Sequence, residues 1–185
     1  MVRSYKDSEL LTRADQTQGF EGFPTGYWIL AVRSDEDEMS FDDKFYIFKG
    51  SAFVMVMSGT TNKGNKGTAV LCSDQWTYDC YAPTNGTTIR HHRGRMRALR
   101  QVKGIPYSRD HSKDGKTNPT TEIMNNIIHT NFHACTYDMT TTIIKKYIAG
   151  WSEGCLVVND IPKYNEFLDM VKDSKPLSLC IIDEF

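Results

Sequence analysis

The sequence predicts a single, mainly β domain with two short helices. The chain has 185 residues, of which 39% are hydrophobic, and this length is sufficient to bury one core. Short apolar and β-branched runs alternate with turns rich in glycine, proline, asparagine and serine, a pattern typical of many short strands. Only two segments carry the signals of a helix. We therefore expect residues 1–185 to form one β-rich domain.

The predicted elements follow one another in short steps. A first helix is expected at residues 8–14, with Asp7 or Ser8 as its N-cap. A second helix is expected to start after Asp160 as N-cap, with Pro162 in its first turn. Strands are predicted at residues 27–34, 44–49, 52–58 and 177–182, and shorter apolar runs lie at residues 69–71, 127–132, 142–148 and 156–158.

Charge and composition argue against several classes of protein. The 22 basic and 23 acidic residues nearly balance, so the chain is unlike a dedicated nucleic-acid binder, which carries a strongly basic face.

Residues 1–16 lack the features of a signal peptide, and no run of about 18 apolar residues would span a membrane. We expect a protein made in the cytoplasm, a prediction compatible with later release to the cell envelope or with a phage-borne protein. Since the five cysteines are odd in number, at least one thiol is expected to be free.

Cys155 and two upstream histidines are the strongest candidates for catalysis. A thiol becomes a nucleophile when a base takes its proton, and histidine is the commonest partner. Gly154 allows a tight turn in which main-chain N–H groups face an incoming carbonyl oxygen. His129 and His133 would share one face of a predicted strand, so either is a candidate base. From residue preferences alone, a buried structural cysteine is the commoner outcome.

The order of these residues resembles the signature of the L,D-transpeptidase (YkuD-like) family, in which a histidine precedes Ser/Thr-His-Gly-Cys. Residues 131–133 (Asn-Phe-His) and 151–155 (Trp-Ser-Glu-Gly-Cys) are similar to the phage and gut-bacterial branch of that family. Residues 92–101 and 107–115 also look like that branch. The resemblance covers about residues 59–171.

The resemblance implies the catalytic fold of that family and cysteine-dependent acyl transfer on peptidoglycan stem peptides. Cys155 would attack a stem-peptide amide to form a thioester, and His133 would take the thiol proton. The carbonyl of Ala134 would orient the imidazole, and the N–H groups of Gly154 and Cys155 would form the oxyanion hole. An amine acceptor would give transpeptidation and water would give hydrolysis. This chemistry needs no cofactor and no metal.

The predicted substrate-binding residues are Trp151, Ser152, His129, Arg93 and Arg95. Trp151 is expected to form a wall of the cleft. The two arginines belong to a basic stretch, and an arginine can clamp a carboxylate with two hydrogen bonds. Since stem peptides end in carboxylates, the basic stretch would bind these groups. The alternative is that the arginines lie on a solvated strand face.

Two departures from the family pattern keep other functions open. Glu153 stands where the core family has histidine, and its charge would disfavour a thiolate if it pointed inward. Ala134 stands where glycine is usual. One alternative is therefore a catalytically silent module of the same fold that binds cell wall or forms part of a phage. Another is a cysteine hydrolase with a substrate outside the cell wall.

Two segments contain residue types that suit a metal ion, but each has a simpler interpretation. His129, His133 and Cys135 are residue types that suit zinc, but no fourth ligand lies at a typical spacing. Residues 110–115 resemble the start of a calcium loop, but the closing acidic residue is missing from its place. An ordinary turn is the preferred interpretation of that segment.

Overall fold

A computed structural model describes residues 1–35, 39–62, 67–83, 91–93, 95–110, 121–148 and 151–185. Within these ranges the chain is mainly β and has two short helices, as predicted. In chain order the elements are α1 (Asp7–Asp15), β1 (Tyr27–Arg33), β2 (Asp43–Lys49), β3 (Ala52–Thr60), β4 (Ala69–Leu71), β5 (Gln75–Ala82), β6 (His91–His92), β7 (Met96–Gln101), β8 (Ile105–Arg109), β9 (Met124–Asn126), β10 (Phe132–Ala134), β11 (Leu156–Val158), α2 (Ile161–Val171) and β12 (Leu177–Asp183).

Eight of these strands form a closed, barrel-like sheet. Their order is β10–β11–β3–β2–β1–β12–β5–β7, and β7 also pairs with β10, which closes the ring. β6 extends β7 at one edge. Neighbours are antiparallel except for two parallel pairs, β1 with β12 and β10 with β11. A separate small sheet has the order β4–β8–β9.

β1 of this sheet buries both of its faces. Alternate residues of β1 enter two different clusters: Ile29 and Ala31 join the larger one, whereas Trp28 and Leu30 join the smaller one. The larger cluster draws on strands from around the whole ring and is therefore the interior. The smaller cluster lies on the outer face, where α1 covers it. Burial on both faces explains why β1 reads as a continuous apolar run.

Both predicted helices are confirmed, although the first begins differently. α1 is preceded by Lys6 as its N-cap, not by Asp7 or Ser8, and the main-chain N–H of Lys6 donates to the carboxylate of Glu9, 2.7 Å away. α2 begins as predicted, because Asp160 accepts a hydrogen bond from the N–H of Lys163 at 3.2 Å. Each helix thus has one carboxylate that satisfies a main-chain donor of its first turn.

Two of the predicted apolar runs are not strands. Residues 127–131 are irregular, and β10 begins only at Phe132. Residues 142–148 pair with the rest of the described chain through a single bridge between Ser40 and Tyr147, and Ile143 is 72% exposed. Apolar character predicted burial there, but Ile144 and Tyr147 are also exposed, at 60% and 51%.

The calcium-like segment after Asp110 lies outside the described residues. Within them, Gly50 and Ser51 connect β2 to β3, and these two strands pair antiparallel.

Neither helix of the described chain is long and apolar enough to cross a membrane.

Gly59 tests how closely β3 approaches its neighbours. A Cβ atom at this position would overlap the carbonyl oxygen of Val157 and the ring of Phe45. We expect Gly59→Ala to lower the free energy of unfolding by about 2–3 kcal/mol, as measured by chemical denaturation. Gly26→Ala is the control, because nothing lies within 4 Å of a Cβ there, and an equal loss in both variants would contradict the prediction.

Candidate active site

The candidate site lies where β10 and β11 run side by side. β11 begins directly after Cys155, and the N–H of Leu156 donates to the carbonyl of Asn131 at 3.1 Å. His133 lies within β10 and pairs with Val157. The parallel register therefore puts His133 on the strand next to the one that follows Cys155.

His133 is fully buried, and its ring is fixed by a main-chain oxygen. Its Nδ1 lies 2.8 Å from the carbonyl oxygen of Ala134. The indole Nε1–H of Trp151 donates to the same oxygen at 3.0 Å. Because a carbonyl oxygen can only accept, the proton of a neutral imidazole belongs on Nδ1. Nε2 is then the nitrogen that can accept a proton.

Cys155 is 9% exposed, and its thiol donates to a main-chain carbonyl. The acceptor is the oxygen of His129, 3.6 Å from Sγ. Burial raises the pKa of Cys155 above its ordinary value. The resting site therefore holds a neutral thiol and not a preformed thiolate.

Several neighbours modulate that thiol. The main-chain N–H of Asn131 and the hydroxyl of Ser152 lower the pKa of Cys155, and the charge of Arg93 acts in the same direction. The charge of Glu153 raises the pKa of Cys155 to a smaller extent. Glu153 is exposed, so its effect on the thiol is weaker than that of burial.

The turn before Cys155 is held by Ser152 and requires a glycine. The hydroxyl of Ser152 accepts from the N–H groups of Gly154 at 3.2 Å and of Cys155 at 2.8 Å. These are the two groups expected to form an oxyanion hole, and in this structure the serine hydroxyl is their acceptor. Gly154 has φ +118°, and a Cβ there would lie 2.7 Å from the oxygen of Ala69. Both facts exclude a larger residue.

His129 does not share a face with His133, contrary to expectation. It lies in the irregular segment before β10, with φ +63° and an exposed side chain. A non-glycine residue in this conformation is uncommon. Its contribution to the site is its carbonyl oxygen, which accepts from the thiol of Cys155. Since the period of two applies only to a strand, the predicted alignment of the two imidazoles fails.

The buried side chain of Gln101 explains why this segment is not a strand. Its Oε1 accepts from the N–H of Ile128 at 3.0 Å, and from both the N–H and the hydroxyl of Thr130 at 3.1 Å. Its Nε2 donates to the carbonyls of Lys103 and Asn126 at 3.0 and 3.1 Å. The amide thus satisfies main-chain groups that a strand neighbour would otherwise pair.

The arginines predicted to contact substrate lie just before β7. Arg93 and Arg95 are both exposed, and Arg93 has φ +51°. They do not lie on a strand face, because β7 begins at Met96. The guanidinium of Arg95 lies 5.1 Å from the ring centre of Tyr137. Arg97, by contrast, is paired with Asp169 at 2.7 Å.

The remaining cysteines and possible metal ligands lie apart from this chemistry. All five cysteines are thiols; four are buried, and Cys72 is partly exposed. Burial also raises the pKa of Cys135. Among the described residues, no group of three or more His, Cys, Asp or Glu side chains is arranged to hold a metal ion.

Comparisons with protein-family models, with curated proteins and with solved structures give no match for this chain.

The structure brings together most of the predicted site and adds residues that the sequence did not indicate. His133, Ala134, Trp151, Ser152, Gly154 and Cys155 are linked by the contacts above, and His129 joins them through its backbone. Gln101, Tyr137 and Lys145 were not predicted. Nothing in the sequence around Gln101 indicates that its side chain binds the main chain near Ile128, 27 residues away. Only the folded chain brings the two segments together.

Ser152 offers a test of how the thiol is tuned. Because its hydroxyl lowers the pKa of Cys155, we expect Ser152→Ala to shift the pH–rate profile of iodoacetamide labelling at Cys155 to higher pH. Labelling is quantified at each cysteine by peptide mass spectrometry. Ser178→Ala is the control, because Ser178 is a buried hydroxyl that accepts from the N–H of Asp79 outside the site. Coincident profiles for the two variants would contradict the prediction.

Gln101 can be tested through stability. Gln101→Met keeps the approximate size of the side chain but removes its donors and acceptors, which leaves buried main-chain groups without a partner. We expect a loss of about 2–4 kcal/mol in the free energy of unfolding. The exposed Gln16 serves as the control, and Gln16→Met is expected to change stability by less than about 0.5 kcal/mol. A similar small change in Gln101→Met would show that the network adds little.

Proposed function

We propose that this protein is a cysteine acyltransferase or peptidase of the L,D-transpeptidase type that acts on peptidoglycan stem peptides. The observation that carries the proposal is the orientation of His133. Its Nδ1 contacts the carbonyl of Ala134 at 2.8 Å, the contact that the resemblance implied, and its strand neighbours the one that follows Cys155. The closed mixed sheet around the site is compatible with a YkuD-like catalytic fold, which belongs to the same proposal.

The chemistry starts from a neutral thiol and a neutral imidazole. As Sγ of Cys155 attacks the carbonyl carbon of the amide, its proton passes to Nε2 of His133. The C–N bond then breaks, and the same proton goes to the leaving amine, which leaves a thioester on Cys155. Attack on the thioester by an amine gives transpeptidation, whereas attack by water gives hydrolysis. His133 accepts the proton of the attacking group, and Sγ regains a proton as it leaves.

In the resting site, the main-chain donors that would stabilise the oxyanion are hydrogen-bonded within the protein. The N–H groups of Gly154 and Cys155 donate to the hydroxyl of Ser152. A rotation of that hydroxyl away from the turn would release both donors toward the substrate oxygen. The positive φ of Gly154 keeps the two N–H groups close together, which is the arrangement an oxyanion hole requires.

A catalytically silent module that binds the cell wall or belongs to a phage is the second candidate, and specific contacts favour it. The thiol of Cys155 donates to the carbonyl of His129, burial raises the pKa of Cys155, and the oxyanion donors are engaged. A protein that has lost catalysis could retain all three. The two candidates differ in whether a substrate can displace these contacts.

Cys155→Ala separates the two candidates. Wild-type protein is incubated with purified muropeptides, and the products are identified by mass spectrometry. We expect new cross-linked or shortened stems with wild-type protein and loss of at least about a thousandfold in rate in the variant, because no thioester forms. Cys135→Ala is the matched control, since Cys135 is also buried but is not the proposed nucleophile.

Two results would contradict the proposed function. Turnover by Cys155→Ala at the wild-type rate would exclude Cys155 as the nucleophile. Binding of muropeptides by wild-type protein without any product would favour the silent module. Circular dichroism of each variant checks that the fold is retained.

A further inference from the structure

We propose that four side chains beside the Cys155 turn bind the carboxylate groups of an acidic peptide. They are Arg95, Tyr137, Trp151 and Lys145, and we call them the cation–aromatic strip. The proposal deepens the function above and rests on it only in treating the bound peptide as substrate. Tyr137 and Lys145 are new in this role, because neither was among the residues predicted to bind substrate.

The strip consists of two aromatic rings in contact, with a cation beside each ring. The rings of Tyr137 and Trp151 pack edge to face, with centres 4.8 Å apart. The guanidinium of Arg95 lies 5.1 Å from the centre of Tyr137, and Nζ of Lys145 lies 5.6 Å from the centre of Trp151. Each distance lies within the range of a cation–π contact. The rings therefore hold the two cations in place without neutralising their charge.

Trp151 connects the strip to the proposed base. Its Nε1–H donates to the carbonyl oxygen of Ala134, which also accepts from Nδ1 of His133. Trp151 also directly precedes Ser152, whose hydroxyl holds the turn of Cys155. A peptide bound along the strip would therefore lie next to the nucleophile and the base. The peptide-binding strip would thus lie beside the proposed catalytic residues.

Lys145 is held in position before any ligand arrives. Its Nζ donates to the carbonyl of Cys135 at 3.3 Å, and its own carbonyl accepts from the side chain of Asn159 at 2.8 Å. Asn159 in turn accepts from the hydroxyl of Ser58 at 2.6 Å. An ammonium group has three donors, and these contacts use one of them. Such preorganisation reduces the entropy lost when a ligand binds.

The cations of the strip have no acidic partner in the described part of the chain. The ion pairs there involve Arg13, Arg97 and Lys163, and none involves Arg95, Lys145 or the nearby Arg93. Glu153 is an acidic side chain whose charge raises the pKa of Cys155, but burial has a larger effect. In a chain with a net charge of −1, this local excess of positive charge favours a ligand with carboxylates. The occupant we commit to is a peptide with at least two of them.

Trp151 makes binding directly measurable. Trp28 and Trp76 are buried, at 0% and 4% exposure, whereas Trp151 is partly exposed, so a ligand on the strip changes mainly the emission of Trp151. The experiment uses full-length Cys155→Ala protein, in which binding occurs without turnover. The probes are a synthetic tetrapeptide with a glutamyl side chain and a free C-terminal carboxylate, and the same peptide with both carboxylates amidated.

We expect the acidic tetrapeptide to bind at least about tenfold more tightly than the amidated one, and the difference to shrink at high salt. Arg95→Gln and Lys145→Gln, each combined with Cys155→Ala, should weaken binding of the acidic peptide by about three- to tenfold. Lys146→Gln is the matched control: Nζ of Lys146 lies 5.1 Å from the ring centre of Tyr147, outside the strip. It should leave binding unchanged.

Equal affinity for the two peptides, or equal effects of Lys145→Gln and Lys146→Gln, would overturn the proposal. The failure of the strip is distinguishable from the failure of the proposed function. Charge-dependent binding without turnover by wild-type protein would retain the strip and reject the enzyme. Turnover whose KM does not change in Arg95→Gln and Lys145→Gln would retain the enzyme and reject the strip.

Discussion

The closure of the sheet at β10 is the constraint on which the candidate site depends. This strand has only three residues, yet it pairs with β7 on one side and with β11 on the other. The first pairing completes the ring, and the second puts a buried histidine beside the segment that carries Cys155. If β10 were displaced, the ring would open and the histidine would lose its position at the same time. Stability and the geometry of the site are therefore linked in one short strand.

That linkage requires close approaches that only certain residues permit. Gly59 lets β3 lie against Val157 and Phe45, and Gly154 lets the turn before Cys155 pack on the backbone of Ala69. The same tight packing desolvates the thiol and raises the pKa of Cys155. Burial therefore favours the neutral thiol of Cys155 over a thiolate.

Much of the fold was predictable because local rules decide it. β1, β2 and β12 are buried along most of their length and form apolar runs, which is why they were found close to their actual bounds. β3 was also found close to its bounds, although its first residues are exposed. α2 was predictable from its aspartate cap and its apolar spacing. The errors arose where distant contacts override local preference. Residues 127–131 read as a strand, but Gln101 captures their main-chain groups. Residues 142–148 are apolar, yet Ile143 and Ile144 are largely exposed.

The amino-acid sequence was sufficient to predict the mainly β class, because local patterns encode strands and turns. It also made His133, Gly154 and Cys155 candidates for a site, since these residue types suit thiol chemistry. The state and surroundings of these groups became evident only in the folded chain. The tertiary structure assigned the carbonyl of His129, not its imidazole, to the thiol, and it brought Tyr137 and Lys145 to Trp151. These contacts join segments that lie on different elements, and their distances depend on how the ring closes, which no local pattern encodes.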